Sequence, residues 1–153
     1  MNQSAPKHVY EVYIRTTPRK LWDAITQPVF TRQYFYGSSV KSDWKVGSSV
    51  VHANDEGEAL LEGKVVEADP PRRLVTTFSA THDPKAQGDR PSRVTWLIEA
   101  RGDACKLTLV HDDFDSETVT FTSVGPGWNP VLSGLKTLLE TGKPLVIAPQ
   151  TAA

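Results

Sequence analysis

The sequence predicts an α+β fold: a curved antiparallel sheet of about six or seven strands, two short helices and one long C-terminal helix. Three observations carry this. From residue 38 to about 114 the hydrophobic period is two, interrupted by hairpin-type turns. From Trp128 it becomes helical, with Val131, Leu132, Leu135, Leu138 and Leu139 at +3, +4, +7, +10 and +11. Between the first extended run and the alternating region stand two proline-led helix starts. The 153 residues are enough for one hydrophobic core, and residues 8–142 read as one domain, with flexible tails expected at 1–7 and 146–153.

Residues 8–15 are dominated by β-branched and aromatic side chains and read as a strand. Thr17 can cap a helix and Pro18 suits its first position, where no N–H is needed; Leu21, Trp22 and Ile25 then share one face. Pro28 starts a second short helix carrying Val29, Phe30 and Tyr34, which Gly37 ends. Residues 46–52 form a strand leading into the turn Asn54-Asp55-Glu56-Gly57, and 59–68 form the next. Pro70-Pro71 forces a break, because proline cannot donate to a ladder. Extended structure resumes over 72–80, a polar loop covers 82–91, and strands at 92–100 and 105–111 flank the turn Arg101-Gly102-Asp103. In the last helix Pro130 is expected in the first turn, and Gly142 followed by Pro144 is the stop. That helix is the element long enough to cover the apolar face of the sheet, and a curved sheet around it leaves a gap near the wide end.

Composition removes several function classes. Seventeen Lys and Arg against eighteen Asp and Glu give a net charge of −1, without the basic footprint of a nucleic-acid binder. Arg72-Arg73 and the set Arg15, Arg19 and Lys20 are too few for a phosphate or DNA site. No apolar run reaches the roughly 18–20 residues that span a bilayer, and the N-terminus lacks a signal peptide's apolar core. One cysteine cannot form an internal disulfide, so a reducing, cytoplasmic setting is expected.

Four stretches together resemble the START-like (SRPBCC) superfamily. They are Thr17-Pro18-x-x-Leu21-Trp22-x-Ala24-Ile25-Thr26, Gly63-x-Val65-x-Glu67-x-Asp69-Pro70-Pro71-Arg72-x-Leu74, Leu107-x-Leu109-x-His111 and Gly127-Trp128-x-x-Val131-Leu132-x-x-Leu135. Within that superfamily the chain is similar to bacterial single-domain relatives of the C-terminal domain of the activator of the 90-kDa heat-shock protein's ATPase. The resemblance implies a helix-grip fold with a cavity between sheet and long helix, used across the superfamily for lipids, steroids, polyketides and other apolar molecules. In the eukaryotic activator a further N-terminal module precedes this domain. Here about seven residues precede the first strand, so that module is expected to be missing.

Among polar residues His111 stands out: alternation places it inward with Leu107 and Leu109, beside Asp112 and Asp113 at a strand end. An imidazole there can serve as general base or ligand contact, or simply as a structural histidine bonded within the core. Trp96 shares parity with Val94 and Ile98, and Phe78 with Leu74, so both face the helix and can line a pocket. Trp22 reads as core, and Tyr34 and Tyr36 can bring a hydroxyl to a cavity mouth. The predicted ligand-binding set is Tyr34, Phe35, Phe78, Trp96, Leu109, His111, Trp128, Leu132 and Leu135. No metal site is expected, because His8, His52, His82 and His111 are scattered without ligand spacing. The acidic runs Asp55, Glu56, Glu58, Glu62 and Asp112, Asp113, Asp115, Glu117 fit no Ca²⁺ loop. No phosphate-binding glycine loop or nucleophile elbow occurs, Cys105 points inward as an inert thiol, and no cofactor is implied.

Three functions follow. The leading one is binding of a small hydrophobic or amphipathic molecule, without catalysis. The second is an enzyme of aromatase/cyclase or small-molecule hydrolase type, with His111 as base. The third is a co-chaperone-like module acting in a stress response, which rests on the resemblance. A monomer or a homodimer paired through an edge strand suits any of them.

Overall fold

The computed structural model describes residues 5–148, so the tail expectations for residues 1–4 and 149–153 lie outside the described residues. The elements run β1 (His8–Ile14), α1 (Pro18–Thr26), α2 (Pro28–Tyr34), β2 (Ser39–Lys41), β3 (Ser49–Ala53), β4 (Ala59–Asp69) and β5 (Arg73–Phe78). After a 3₁₀ turn at Pro84–Ala86 come β6 (Ser92–Arg101), β7 (Ala104–Asp112) and α3 (Val119–Thr141). The seven strands form one open sheet in the order β1-β7-β6-β5-β4-β3-β2, each neighbour antiparallel. The sheet class and strand number agree with the sequence. Two local readings do not: residues 46–48 form a turn rather than the start of β3, and Ser39–Lys41 adds a strand too short to show a period.

Register shifts between His52 and Ala53 and between Val65 and Glu67 put one extra residue on a strand, which bends and twists it. The bends turn the apolar face toward the helices. In β7 the inward row is Cys105, Leu107, Leu109 and His111, all fully buried, with Val94, Trp96 and Ile98 beside it on β6. α1 starts on Thr17, whose hydroxyl accepts the Lys20 N–H at 3.3 Å, and buries Leu21, Trp22 and Ile25. α2 follows after one residue, and the two helices cap one end of the core.

α3 corrects the expectation most. It spans 23 residues and begins at Val119, so Pro130 lies well inside it and Pro126 does too. Two glycines and two prolines in Gly125-Pro126-Gly127-Trp128-Asn129-Pro130 make this a poor helix by propensity. Tertiary contacts override that. Thr118 accepts the Phe121 N–H at 3.1 Å, and Asp89 takes both the Thr120 N–H (2.9 Å) and its hydroxyl (2.7 Å). From the sheet side, Tyr10 donates its hydroxyl to the Gly125 carbonyl. His8 stacks on Phe121, with ring centroids 4.2 Å apart, and its Nε2 lies 2.8 Å from the Phe121 carbonyl oxygen. Gly125 permits this approach: a Cβ there would lie 2.8 Å from the His8 ring. The C-terminus ends as read, on Gly142 in the left-handed region (φ 78°) with its N–H on the Leu138 carbonyl.

Candidate functional site

A cavity of about 400 Å³ opens under the first half of α3. Phe35, Tyr36 and Ser38 close it from the end of α2, Leu60 and Leu61 from β4, and Phe78 from β5. The loop after β5 adds Ala80, His82, Asp83 and Ala86, and α3 adds Thr120, Ser123, Val124, Gly127, Trp128 and Val131. Its position follows from side-chain volume along the helix. Toward the N-terminus α3 turns small residues (Thr120, Ser123, Val124, Gly127) to the sheet; toward the C-terminus it turns Leu132, Leu135 and Leu138, which are buried and fill the space. The gap is therefore at the early part of the helix.

Behind the cavity wall runs a buried polar chain. The indole N–H of Trp128 donates to His111 Nδ1 at 3.0 Å. Because an indole only donates, Nδ1 carries no proton, and the neutral ring holds it on Nε2, which donates to Ser92 Oγ at 2.7 Å. Ser92 in turn donates to the Phe78 carbonyl at 3.4 Å. Phe78 and Phe114 close over the imidazole at centroid distances of 4.7 and 4.8 Å. Burial, helped by the nearby His8, pushes the His111 pKa down to about 3 against the opposing pull of Asp112. Both nitrogens are occupied, so no lone pair is free to take a proton from a guest. His111 is a structural histidine that fixes Trp128.

A second histidine sits on the other side. The Ser38 hydroxyl donates to the Phe35 carbonyl at 2.6 Å, so its oxygen accepts from His52 Nδ1–H at 3.2 Å. Phe35 stacks on His52 at 4.3 Å, and burial lowers the His52 pKa to about 4. His52 also borders a separate gap of about 30 Å³ with Tyr34, Trp44, Thr76 and Trp96, a volume on the scale of one water's share of the liquid.

Residues 15–140 match the family described as Activator of Hsp90 ATPase homolog 1-like protein. The chain belongs to this family. Protein MLL2253 from Mesorhizobium loti is similar to it at 26% identity and a TM-score of 0.73, over 88% of this chain and 96% of that one. The Aha1 dimer from Colwellia psychrerythraea aligns at 17% identity and TM-score 0.72, over 90% of this chain and 98% of that one. PFC0360w, an HSP90 activator from Plasmodium falciparum, aligns at 20% and 0.71, over 87% and 95% respectively. These establish the helix-grip architecture. No curated protein matches the chain in sequence.

In this Hsp90-activator-like fold the nine predicted site residues divide. Phe35, Phe78 and Trp128 border the large cavity. Tyr34 and Trp96 border the small gap instead; the Tyr34 hydroxyl, expected at a mouth, is buried on the Ala24 carbonyl at 2.7 Å, and burial raises its pKa far above the usual tyrosine value. Leu109, His111, Leu132 and Leu135 reach neither space and belong to the solid core: Leu132 and Leu135 fill the helix face beyond the cavity, and His111 is held behind the cavity wall by Trp128 and Ser92. Tyr36 does reach the mouth, donating to the Gly127 carbonyl. Sequence reasoning missed Ser38, Leu60, Leu61, His82, Asp83 and Val124. Ser38, His82 and Asp83 lie outside regular apolar patterns, Leu60 and Leu61 are neighbours on β4 beside a register shift that alternation does not show, and Val124 is legible only once α3 is known to begin at Val119. The acidic run at 112–115 is tied to Arg93 and Arg90 at 2.9–3.1 Å. Among the described residues no three His, Cys, Asp or Glu side chains converge as for a metal, and no helix is long and apolar enough to cross a membrane.

Proposed function

We propose that this protein binds a small, largely apolar molecule in the cavity beneath the first half of α3, without catalysing its conversion. The single observation that carries the reading is an aromatic- and aliphatic-walled space of about 400 Å³, within the range of small-ligand pockets. An enzyme built on His111 has less support, since both ring nitrogens are engaged within the core. We place the binding in the cytoplasm, consistent with one free, buried cysteine, Cys105.

The test is thermal unfolding with a panel of fatty acids, flavonoids and polyketides, on the wild type and on Val124→Trp, which fills the cavity. A ligand at about 100 times its Kd adds about 2.7 kcal/mol, a rise of several degrees for a domain of this size. That rise is expected in the wild type and absent in V124W; a panel that moves neither protein overturns the reading.

A second reading, a module that docks on the 90-kDa heat-shock chaperone, is favoured by the family membership and by the activator function named for PFC0360w. Capture of the purified chaperone, with its ATPase rate measured alongside, separates the two.

A further inference from the structure

The side-chain donors around the cavity, one hydroxyl excepted, are engaged within the protein. Trp128 Nε1–H is spent on His111, the Ser38 hydroxyl on the Phe35 carbonyl, and the Tyr36 hydroxyl on the Gly127 carbonyl. The Thr120 hydroxyl donates to Asp89 at 2.7 Å. His82 Nδ1 sits 2.7 Å from the Leu60 carbonyl oxygen, which can only accept, so the proton on that nitrogen is spent there as well. What these groups leave for a guest is acceptor capacity. Ser123 is the exception, since its hydroxyl can turn either way.

Charge points the same way. Among the described residues Asp83 is the one carboxylate bordering the cavity, and no Lys or Arg borders it. One Asp83 oxygen accepts the Lys85 backbone N–H at 2.9 Å, holding the 3₁₀ turn, and no lysine or arginine among the described residues forms an ion pair with Asp83. A carboxylate guest would meet like charge and find, among the lining side chains, only the Ser123 hydroxyl as a free donor. An alcohol would find acceptors, and an ammonium would find acceptors, a negative charge and aromatic faces.

We infer that the cavity selects ligands with a hydrogen-bond-donating head, foremost a protonated amine, on an apolar body, with Asp83 as the residue that reads the head. This rests on the cavity-binding reading above and names its ligand class. The probes are 2-(1-naphthyl)ethylamine, 2-(1-naphthyl)ethanol and 1-naphthylacetate, which share the ring and differ in the head, titrated calorimetrically at about pH 8 and low salt. The amine binds about tenfold tighter than the acetate, a factor kept modest by the half-open position of Asp83. Asp83→Asn keeps the oxygen that holds the Lys85 N–H but removes the charge: the amine falls to the level of the alcohol, and the alcohol is unchanged. Should that variant fail to fold, Asp83→Ser, which also caps the turn, gives the same comparison. Equal affinities for all three probes, a tighter acetate, or an amine preference that survives the loss of Asp83 each overturn the inference while leaving the cavity reading intact. If none of the three binds, the inference fails, and the wider ligand panel then decides whether the cavity reading fails with it.

Discussion

Acid should unload this fold through two histidines. His111 and His52 are held in their neutral forms by burial, with pKa values pushed down to about 3 and about 4 from an ordinary 6.5. As pH falls below that ordinary value the unfolded chain takes up two protons that the native protein refuses. The stabilisation is therefore complete above about pH 6.5 and drains away as pH falls toward 4. Each group costs up to about 1.4 kcal/mol per pH unit, so from neutral pH to pH 5 the pair removes about 4 kcal/mol. Against a total of roughly 5–15 kcal/mol for a domain, this brings unfolding within reach at mildly acid pH. Urea titrations followed by tryptophan fluorescence at about pH 7.5, 6.5, 5.5 and 5.0 read the slope directly. It should approach about 2.7 kcal/mol per pH unit below pH 6 and halve in His111→Asn, which keeps an acceptor for Trp128 but cannot titrate. Stability that stays flat from pH 7 to 5, or a slope unaltered in H111N, would refute the buried-neutral assignment.

Three substitutions test other parts of the structure. Trp128→Phe keeps an aromatic wall but strips the donor from His111 Nδ1, leaving a buried acceptor unpaired; a loss of about 1–3 kcal/mol in urea melts is expected. Asp89→Ala releases both the Thr120 N–H and its hydroxyl, costing about 1–2 kcal/mol and speeding amide exchange over residues 119–127 more than over 131–141. Gly63→Ala would set a Cβ 2.0 Å from the Thr77 carbonyl oxygen across β4 and β5, so the strands must separate, and a loss beyond about 3 kcal/mol or insoluble expression is expected.

The fold was legible because burial of one sheet face imposes a period of two that survives any choice of side chain. The inward row Cys105, Leu107, Leu109, His111 is the clearest case. What the pattern does not encode is where two surfaces fail to meet. Leu132 and Leu135 looked like cavity walls because they lie on the helix face that covers the sheet, yet large apolar side chains on that face are what closes it. The cavity instead follows the small residues, and those sit in a segment whose glycines and prolines disguise it as a loop. Its helical state depends on Asp89, Tyr10 and His8, partners more than 30 positions or over a hundred positions away in sequence. His111 illustrates the same limit: alternation located it, but the Trp128 indole that fixes its tautomer arrives from an element 17 residues on.

The two buried histidines divide one task between them. An apolar cavity whose lining includes Trp128, Ser38 and Phe35 would be wet if the indole N–H and the hydroxyl faced inward, since each unpaired donor would hold a water that a hydrophobic guest must displace. His111 withdraws the indole N–H, and the Phe35 carbonyl takes the Ser38 hydroxyl while His52 occupies its oxygen. His111 must be neutral to do this, because a protonated His111 would offer a second donor where the indole needs an acceptor, whereas the Nδ1–H that His52 gives to Ser38 persists in either form. The burial that lowers both pKa values thus goes with donors that are turned away from the cavity. Protonating His111 by acid would return the Trp128 donor to the cavity as well as weaken the fold.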